Sequence, residues 1–143
     1  MTTPEELKEI SRRFIDAVFN QRDLTYADGM LTADFVEHSP PLPTMGRDKA
    51  GAMGGFKLFL DASDDLRAEI IEQISDGHRI AIRARYSGTD TGGFLPGVPA
   101  TNKRFDIEGI DVGTIGDDGK FHEHYGIADV MTQLQQLGLA PSG

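Results

Sequence analysis

The chain has 143 residues, of which 38% are hydrophobic and 26% charged, and its formal net charge is −9. This composition predicts one folded domain over residues 1–143 and argues against nucleic acid or an anionic membrane as the partner. The absence of cysteine excludes disulfides, a thiolate nucleophile and thiolate zinc sites, and it fits a cytoplasmic location. The polar first residues and the lack of an apolar run near about 20 residues predict neither a signal peptide nor a membrane span.

Three helices are expected in the first half of the chain. The segment Thr3–Glu6 combines an N-cap threonine, a proline at the first helical position and a glutamate at the third, which predicts a helix running to about Asn20. A shorter helix over Tyr26–Leu31 precedes a brief extended segment, Asp34–His38. Gly46-Arg47-Asp48 opens the third helix, whose apolar positions recur at helical spacing.

From Leu66 onward the hydrophobic period changes to two, which predicts strands. The expected strands are Leu66–Ile74, Arg79–Ser87, Arg104–Ile115 and Lys120–Ala128, with a Gly/Pro-rich loop at Gly88–Thr101 and a final helix ending at Gly138. Helices followed by an antiparallel meander indicate an α+β fold, with the helices packed on one face of a strongly curved sheet. Such a sheet forms a cone, and the interior of a cone is a natural pocket.

Several short motifs occur in a specific order along these elements. They are Asp34–His38, Gly46–Asp48, Asp65–Leu66, Ile80–Arg83, Gly88–Gly92, Gly97–Lys103, Asp118–Lys120, Glu123–Tyr125 with Asp129, and Gln136–Gly138. In order and spacing, from about Phe14 to Gly138, they resemble the SnoaL-like polyketide cyclase family within the nuclear transport factor 2-like fold.

The resemblance implies a cone-shaped α+β barrel, a homodimer formed through the outer sheet face, and a pocket without cofactor or metal for a small apolar or polycyclic molecule. It also implies that Asp129 is the general acid and base of an intramolecular aldol ring closure. Three positions depart from the family pattern: Asp90 replaces a frequent His, and Ala84 and Tyr125 replace frequent Trp residues. The substrate of the family therefore does not transfer directly.

Asp129 has two interpretations, as the N-cap of the last helix or as the catalytic carboxylate. His124 is a candidate proton-transfer partner, with the solvent-facing side of the sheet or a dimer interface as the alternative. His38 follows Val36 at a spacing of two, so we expect it on a buried face, either as a core histidine or as a catalytic residue at the pocket. No two histidines have the helical spacing of a metallohydrolase, so no metal site is expected.

Substrate-binding candidates come from the strands and from the aromatic positions. Asp111 shares a side with apolar residues, which favours a pocket position over a hydrogen bond at the strand end. Arg83 points either outward, to solvent or a dimer salt bridge, or inward, to a carboxylate partner. Most aromatic residues should form the core. The candidates to line the pocket are Phe14, Phe35, Phe56 and Tyr125, and Phe94 is a candidate lid.

These residues support three functional hypotheses. The first is a SnoaL-like enzyme that performs cofactor-free acid–base chemistry, by cyclisation or isomerisation of a hydrophobic carbonyl compound, and so acts as a lyase or an isomerase. The second is water addition to an epoxide, which requires an inward Arg83 or Arg85 between two carboxylates. The third is non-catalytic binding of an apolar ligand.

Overall fold

The computed structural model describes residues 2–141 and has the predicted α+β composition. In chain order, its elements are α1 (Pro4–Ile15), a π-helical segment (Asp16–Asn20), α2 (Leu24–Met30), β1 (Leu31–Glu37), α3 (Lys49–Ala62), β2 (Arg67–Asp76), β3 (Arg79–Thr89), β4 (Arg104–Ile115), β5 (Phe121–Ala128) and α4 (Val130–Gln136). Within residues 2–141, no helix has the length and hydrophobicity needed to cross a bilayer.

The first helix begins as its sequence predicts. The Thr3 hydroxyl accepts the Glu6 N–H at 3.1 Å, and Pro4 occupies the first turn, where its missing N–H costs nothing. Regular α-helix ends at Ile15, but the π-helical segment continues to Asn20, the predicted end. Asn20 then exchanges two side-chain hydrogen bonds with the backbone of Ala68, which fixes this end of the helix against β2.

The sheet has the strand order β1-β5-β4-β3-β2. The last four strands form the predicted antiparallel meander, whereas β1 joins the far edge and runs parallel to β5. The extended segment predicted at Asp34–His38 is thus the second half of a longer strand, Leu31–Glu37, which ends one residue before His38. Its pairing with β5 places Glu37 opposite His124, a long-range contact that the local sequence pattern does not reveal.

The helices cover the inner face of the sheet, where β3 and β4 contribute a continuous apolar surface that includes Ile80, Ile82 and Phe105. The assignment of faces in β1 was wrong. Phe35 and Glu37 point inward and are buried, while Val36 is 40% exposed, so His38 does not share a buried face with it. The reason is that Phe35 and Val36 are adjacent apolar residues, so alternation alone does not tell which of the two faces inward.

The outer face of the sheet carries the arginines. The Arg83 guanidinium donates to Glu72 and to Glu108, each at 2.7 Å, and Arg85 pairs with Asp106. The outward alternative for Arg83 is therefore the one observed. Exposed ion pairs of this kind contribute little to stability because solvent screens them.

The loop between β3 and β4 is anchored by a buried carboxylate. Asp90 is 1% exposed and accepts three hydrogen bonds of 2.9 Å, from the Gly93 N–H, the Thr101 N–H and the Thr101 hydroxyl. Bonds from two distant parts of one loop to one side chain hold the loop closed. The loop in turn carries Phe94 to the ring of Phe105, with centroids 5.0 Å apart.

We expect Asp90→Ala to lower the free energy of unfolding by about 2–3 kcal/mol, because it leaves three donors without their charged acceptor. Urea unfolding followed by circular dichroism measures the difference. Asp64→Ala is the matched control, since that side chain is exposed. An Asp90→Ala protein as stable as the control would contradict the anchoring role.

Candidate active site

A cavity of about 440 Å³ lies between the helices and the inner face of the sheet. Its wall is mostly apolar and includes Phe14, Phe35 and Phe56, which were predicted to line it, and Phe94, the candidate lid. Phe14 packs edge-to-face on Phe56, with ring centroids 5.8 Å apart, so the two rings fix each other's orientation. The cavity thus suits a hydrophobic molecule.

One side of this wall carries a cluster of ionisable groups. His124 Nδ1 lies 2.7 Å from Glu37 Oε2, and His124 Nε2 lies 2.7 Å from Asp111 Oδ1. The other Asp111 oxygen accepts the Tyr86 hydroxyl proton at 2.8 Å. All four residues line the cavity. We call them the His124 cluster.

Four strands position the cluster. Tyr86 lies on β3, Asp111 on β4, His124 on β5 and Glu37 at the end of β1. The parallel β1–β5 pairing brings Glu37 to one side of the imidazole, and β4 brings Asp111 to the other. Each contact therefore depends on the long-range register of the sheet.

Gly126 makes the contact between Asp111 and His124 possible. It pairs directly with Asp111 across β4 and β5. A Cβ at this position would lie 2.6 Å from Asp111 Oδ1 and 3.0 Å from His124 Nε2, distances that are too short for van der Waals contact. A side chain at this position would therefore displace the Asp111 carboxylate, the His124 imidazole or both.

The cluster keeps His124 positively charged at neutral pH. Burial by itself lowers the pKa of the imidazole, but the hydrogen bonds to Asp111 and Glu37 and the charges of those carboxylates outweigh it and raise the pKa to about 9. The imidazolium donates from both ring nitrogens, one to each carboxylate. Because both nitrogens are engaged in this way, neither has a lone pair free for a metal ion.

Tyr86 is held as a neutral phenol. Burial, then the negative charge of Asp111, and then the hydrogen bond to it raise the pKa of the Tyr86 hydroxyl well above its usual value. Its proton therefore stays available to Asp111 over the whole physiological range.

The other predicted site residues lie outside the cavity wall. Asp129 caps α4, as one of its two interpretations predicts, and accepts the Thr132 N–H at 3.2 Å. Among the described residues, the cavity wall does not include Asp129, His38, Arg83 or Tyr125. The structure thus brings His124 and Asp111 together but places Asp129 apart from them.

His38 and Tyr125 form a separate group on the other side of β5. The two rings stack with centroids 4.0 Å apart, and His38 Nε2 lies 2.8 Å from Glu123 Oε2. The hydrogen bonds from His38 and then from Thr114 lower the pKa of the Glu123 carboxyl. This group is partly exposed and has no contact with the apolar cavity.

Two members of the cluster were missed by sequence reasoning. Glu37 follows Phe35 at a spacing of two, so a buried Phe35 would have placed Glu37 on the inner face. Tyr86 shares the inner side of β3 with Ile82 and Ala84, and a hydroxyl on such a face needs a buried partner. Among residues 2–141, no convergent group of His, Asp and Glu side chains has the arrangement of a metal site.

The sequence model of the SnoaL-like polyketide cyclases matches residues 9–137. The chain therefore belongs to the SnoaL-like polyketide cyclase family, and its fold is the nuclear transport factor 2-like α+β fold of that family. No curated protein matches the chain in sequence.

Solved structures share this fold over nearly the whole chain. TsrD from Streptomyces laurentii is 24% identical with a TM-score of 0.84, covering 98% of this chain and 100% of its own. AclR from Streptomyces galilaeus, described as a candidate hydroxylase, is 25% identical with a TM-score of 0.81 and coverages of 98% and 89%. IdmH from Streptomyces antibioticus, described as a candidate polyketide cyclase, is 27% identical with a TM-score of 0.79 and coverages of 92% and 98%.

We expect His124 to titrate near pH 9 in the folded protein, against an ordinary value of 6.5. The raised pKa means that the charged imidazole stabilises the fold fully below about pH 6.5 and that this contribution is lost as pH rises through about 9. The loss should be roughly 1–3 kcal/mol, less than the full shift implies because the His124 side chain is 30% exposed and solvent screens its charge. NMR titration of the imidazole and urea unfolding from pH 6 to 10 measure the two quantities. A His124 pKa at or below 6.5 would contradict the cluster.

Proposed function

We propose that the protein catalyses cofactor-free acid–base chemistry on a hydrophobic carbonyl compound, with intramolecular aldol ring closure as the leading reaction. The observation that supports it is the Asp111–His124 pair in the wall of an otherwise apolar cavity. Membership of the SnoaL-like polyketide cyclase family supports the same reaction class.

Asp111 is the general base in this proposal. Its two oxygens each accept one hydrogen bond, from His124 and from Tyr86, and a carboxylate has about four lone-pair positions, so each oxygen can still accept a proton from the substrate. Its position on the cavity wall puts it in reach of a bound molecule. Asp129, which the family resemblance suggests as the base, caps α4 and is not part of the cavity wall, which is why we favour Asp111.

The proposed reaction conserves all atoms. Asp111 takes a proton from a carbon next to a carbonyl group, and the C–H electron pair passes into the enolate. The enolate carbon then bonds to a second carbonyl carbon of the same molecule, whose π electrons move to its oxygen as an alkoxide. The proton on Asp111 returns to that alkoxide, so the product is a cyclic hydroxyketone isomeric with the substrate.

His124 stabilises the charge that develops in this step. When Asp111 accepts the proton, one negative charge moves from the carboxylate to the substrate oxygen. The imidazolium stays beside both positions, and its attraction is stronger in an apolar cavity than in water. Glu37 holds the second ring nitrogen and so maintains the charge and orientation of His124.

A second candidate function is water addition to an epoxide. The predicted arrangement required an arginine between two carboxylates inside the pocket, and Arg83 and Arg85 lie on the outer face. His124, however, is itself a half-buried cation between two carboxylates, Glu37 and Asp111. Such a site could activate water with one carboxylate, which is the observation that favours this alternative.

We also propose that a second copy of the chain covers the β4–β5 part of the outer sheet face, away from the edge strand β2. Ile110 and Ile127 pair across β4 and β5 and are 54% and 81% exposed, with Tyr125 46% exposed beside them. Adjacent exposed apolar side chains of this size favour a protein interface.

Ile127→Glu should therefore convert a dimer into a monomer in sedimentation velocity. Ile74→Glu is the control, because Ile74 is 66% exposed but lies on β2. A monomeric parent protein would contradict the proposal.

A test of the reaction class needs no knowledge of the natural substrate. 2-Tetralone, a bicyclic ketone, has acidic protons at C1, and their exchange for deuterium in D₂O is visible by NMR. The protein should accelerate this exchange, and Asp111→Asn should lower the acceleration by about 100-fold or more because it removes the base. The catalysed rate should also fall as pH rises through about 9, where His124 loses its charge.

Asp129→Asn is the matched control, since asparagine also caps helices and the residue lies outside the cavity wall. It should exchange at the parent rate. If Asp129→Asn abolishes exchange and Asp111→Asn does not, the roles proposed here are reversed. If the parent protein accelerates no exchange but hydrolyses styrene oxide, the epoxide alternative is favoured. If it acts on neither compound, the result supports the third hypothesis, non-catalytic binding.

A further inference from the structure

We propose that Ser39 is a further catalytic residue, whose hydroxyl donates a hydrogen bond to the carbonyl oxygen of the substrate while Asp111 removes the neighbouring proton. This inference rests on the proposed acid–base function and adds to it the group that receives the enolate oxygen. It concerns a residue that lies just beyond β1 and lines the cavity.

The backbone and side chain of Ser39 are both fixed to the cluster. Its N–H donates to Glu37 Oε2 at 3.1 Å, the same oxygen that contacts His124. Its hydroxyl oxygen accepts the N–H of Gly126 at 3.0 Å. Gly126 is also the residue whose missing side chain leaves room for Asp111 and His124. Ser39 therefore stands next to the reacting groups in a defined position.

The hydroxyl proton of Ser39 is free for a ligand. A serine hydroxyl has one proton to donate and two lone pairs that accept. Within residues 2–141, the bond from Gly126 is the one hydrogen bond of this hydroxyl, and it occupies a lone pair rather than the proton. Accepting that bond also strengthens the hydroxyl as a donor, because hydrogen bonds in a chain polarise one another.

The other donors in the cluster are already engaged. The Tyr86 hydroxyl donates to Asp111, and the two ring N–H groups of His124 donate to Asp111 and Glu37. The remaining polar side chains of the cavity wall, Ser11 and Gln133, lie on helices rather than beside Gly126. Ser39 is thus the donor beside the His124 cluster that a substrate oxygen can use.

An enolate oxygen forms in the step that Asp111 catalyses, and it carries more negative charge than the ketone oxygen. A fixed donor at this oxygen therefore stabilises the transition state more than the bound substrate. The Ser39 proton stays on the hydroxyl throughout, so the proton balance of the reaction is unchanged. Loss of the donor should lower the rate constant and leave the binding of the ketone nearly unaffected.

The test compares Ser39→Ala with Ser39→Thr in the exchange of 2-tetralone. Ser39→Ala should lower the maximal catalysed rate by roughly 10- to 100-fold with little change in KM, and Ser39→Thr, which keeps the hydroxyl, should restore most of it. Ser87→Ala is the matched control, since it removes a hydroxyl on β3 outside the cavity wall and should leave the rate at the parent value. The His124 pKa, measured by NMR, should stay near 9 in all three variants.

The outcomes separate this inference from the function on which it rests. A parent protein that accelerates no exchange overturns the proposed function itself. An active parent protein with an equally active Ser39→Ala variant overturns the role of Ser39 and leaves Asp111 as the base. A Ser39→Ala variant with a displaced His124 pKa, or a Ser39→Thr variant as slow as Ser39→Ala, shows a structural role and also overturns the inference.

Discussion

The placement of His124 between two carboxylates is the interaction on which the rest of the site depends. Glu37 comes from one edge strand, Asp111 from the middle of the sheet, and the imidazole joins them with two hydrogen bonds of 2.7 Å. Removing any member would leave a charged group without its partner in a largely apolar cavity, which costs several kcal/mol. The parallel pairing of β1 with β5 places Glu37 directly opposite His124.

The surrounding fold lowers the energetic cost of placing the charged His124 cluster in an apolar wall. Tyr86 satisfies one remaining carboxylate oxygen of Asp111, and the backbone N–H of Ser39 satisfies Glu37. Glycine at position 126 gives the side chains room to meet. Every charge is thus paired or hydrogen-bonded, as buried charges must be, while the aromatic wall opposite supplies the apolar volume for a ligand.

Much of the fold follows from the sequence because it depends on local signals. Hydrophobic period and cap residues predict α1, the meander strands and the capping of α4 by Asp129, and alternation along β4 places Asp111 on the inner face. The faces of β1 do not follow, since Phe35 and Val36 are adjacent apolar residues and only the packing of the folded sheet decides which of them is buried. For that reason His38 was expected inside, whereas its neighbour Glu37 is the residue that lines the cavity.

The same reasoning explains why the candidate base differs from the one that family resemblance suggests. A position at the junction of a strand and a helix can cap the helix or face the cavity, and the N–H of Thr132 draws the Asp129 carboxylate to the first role. In the proposed mechanism, acid–base function falls to a carboxylate within the sheet, Asp111, which hydrogen-bonds to a charged imidazole. Family membership therefore indicates the fold, while our proposal for the base rests on the strand register that brings Asp111 and His124 together.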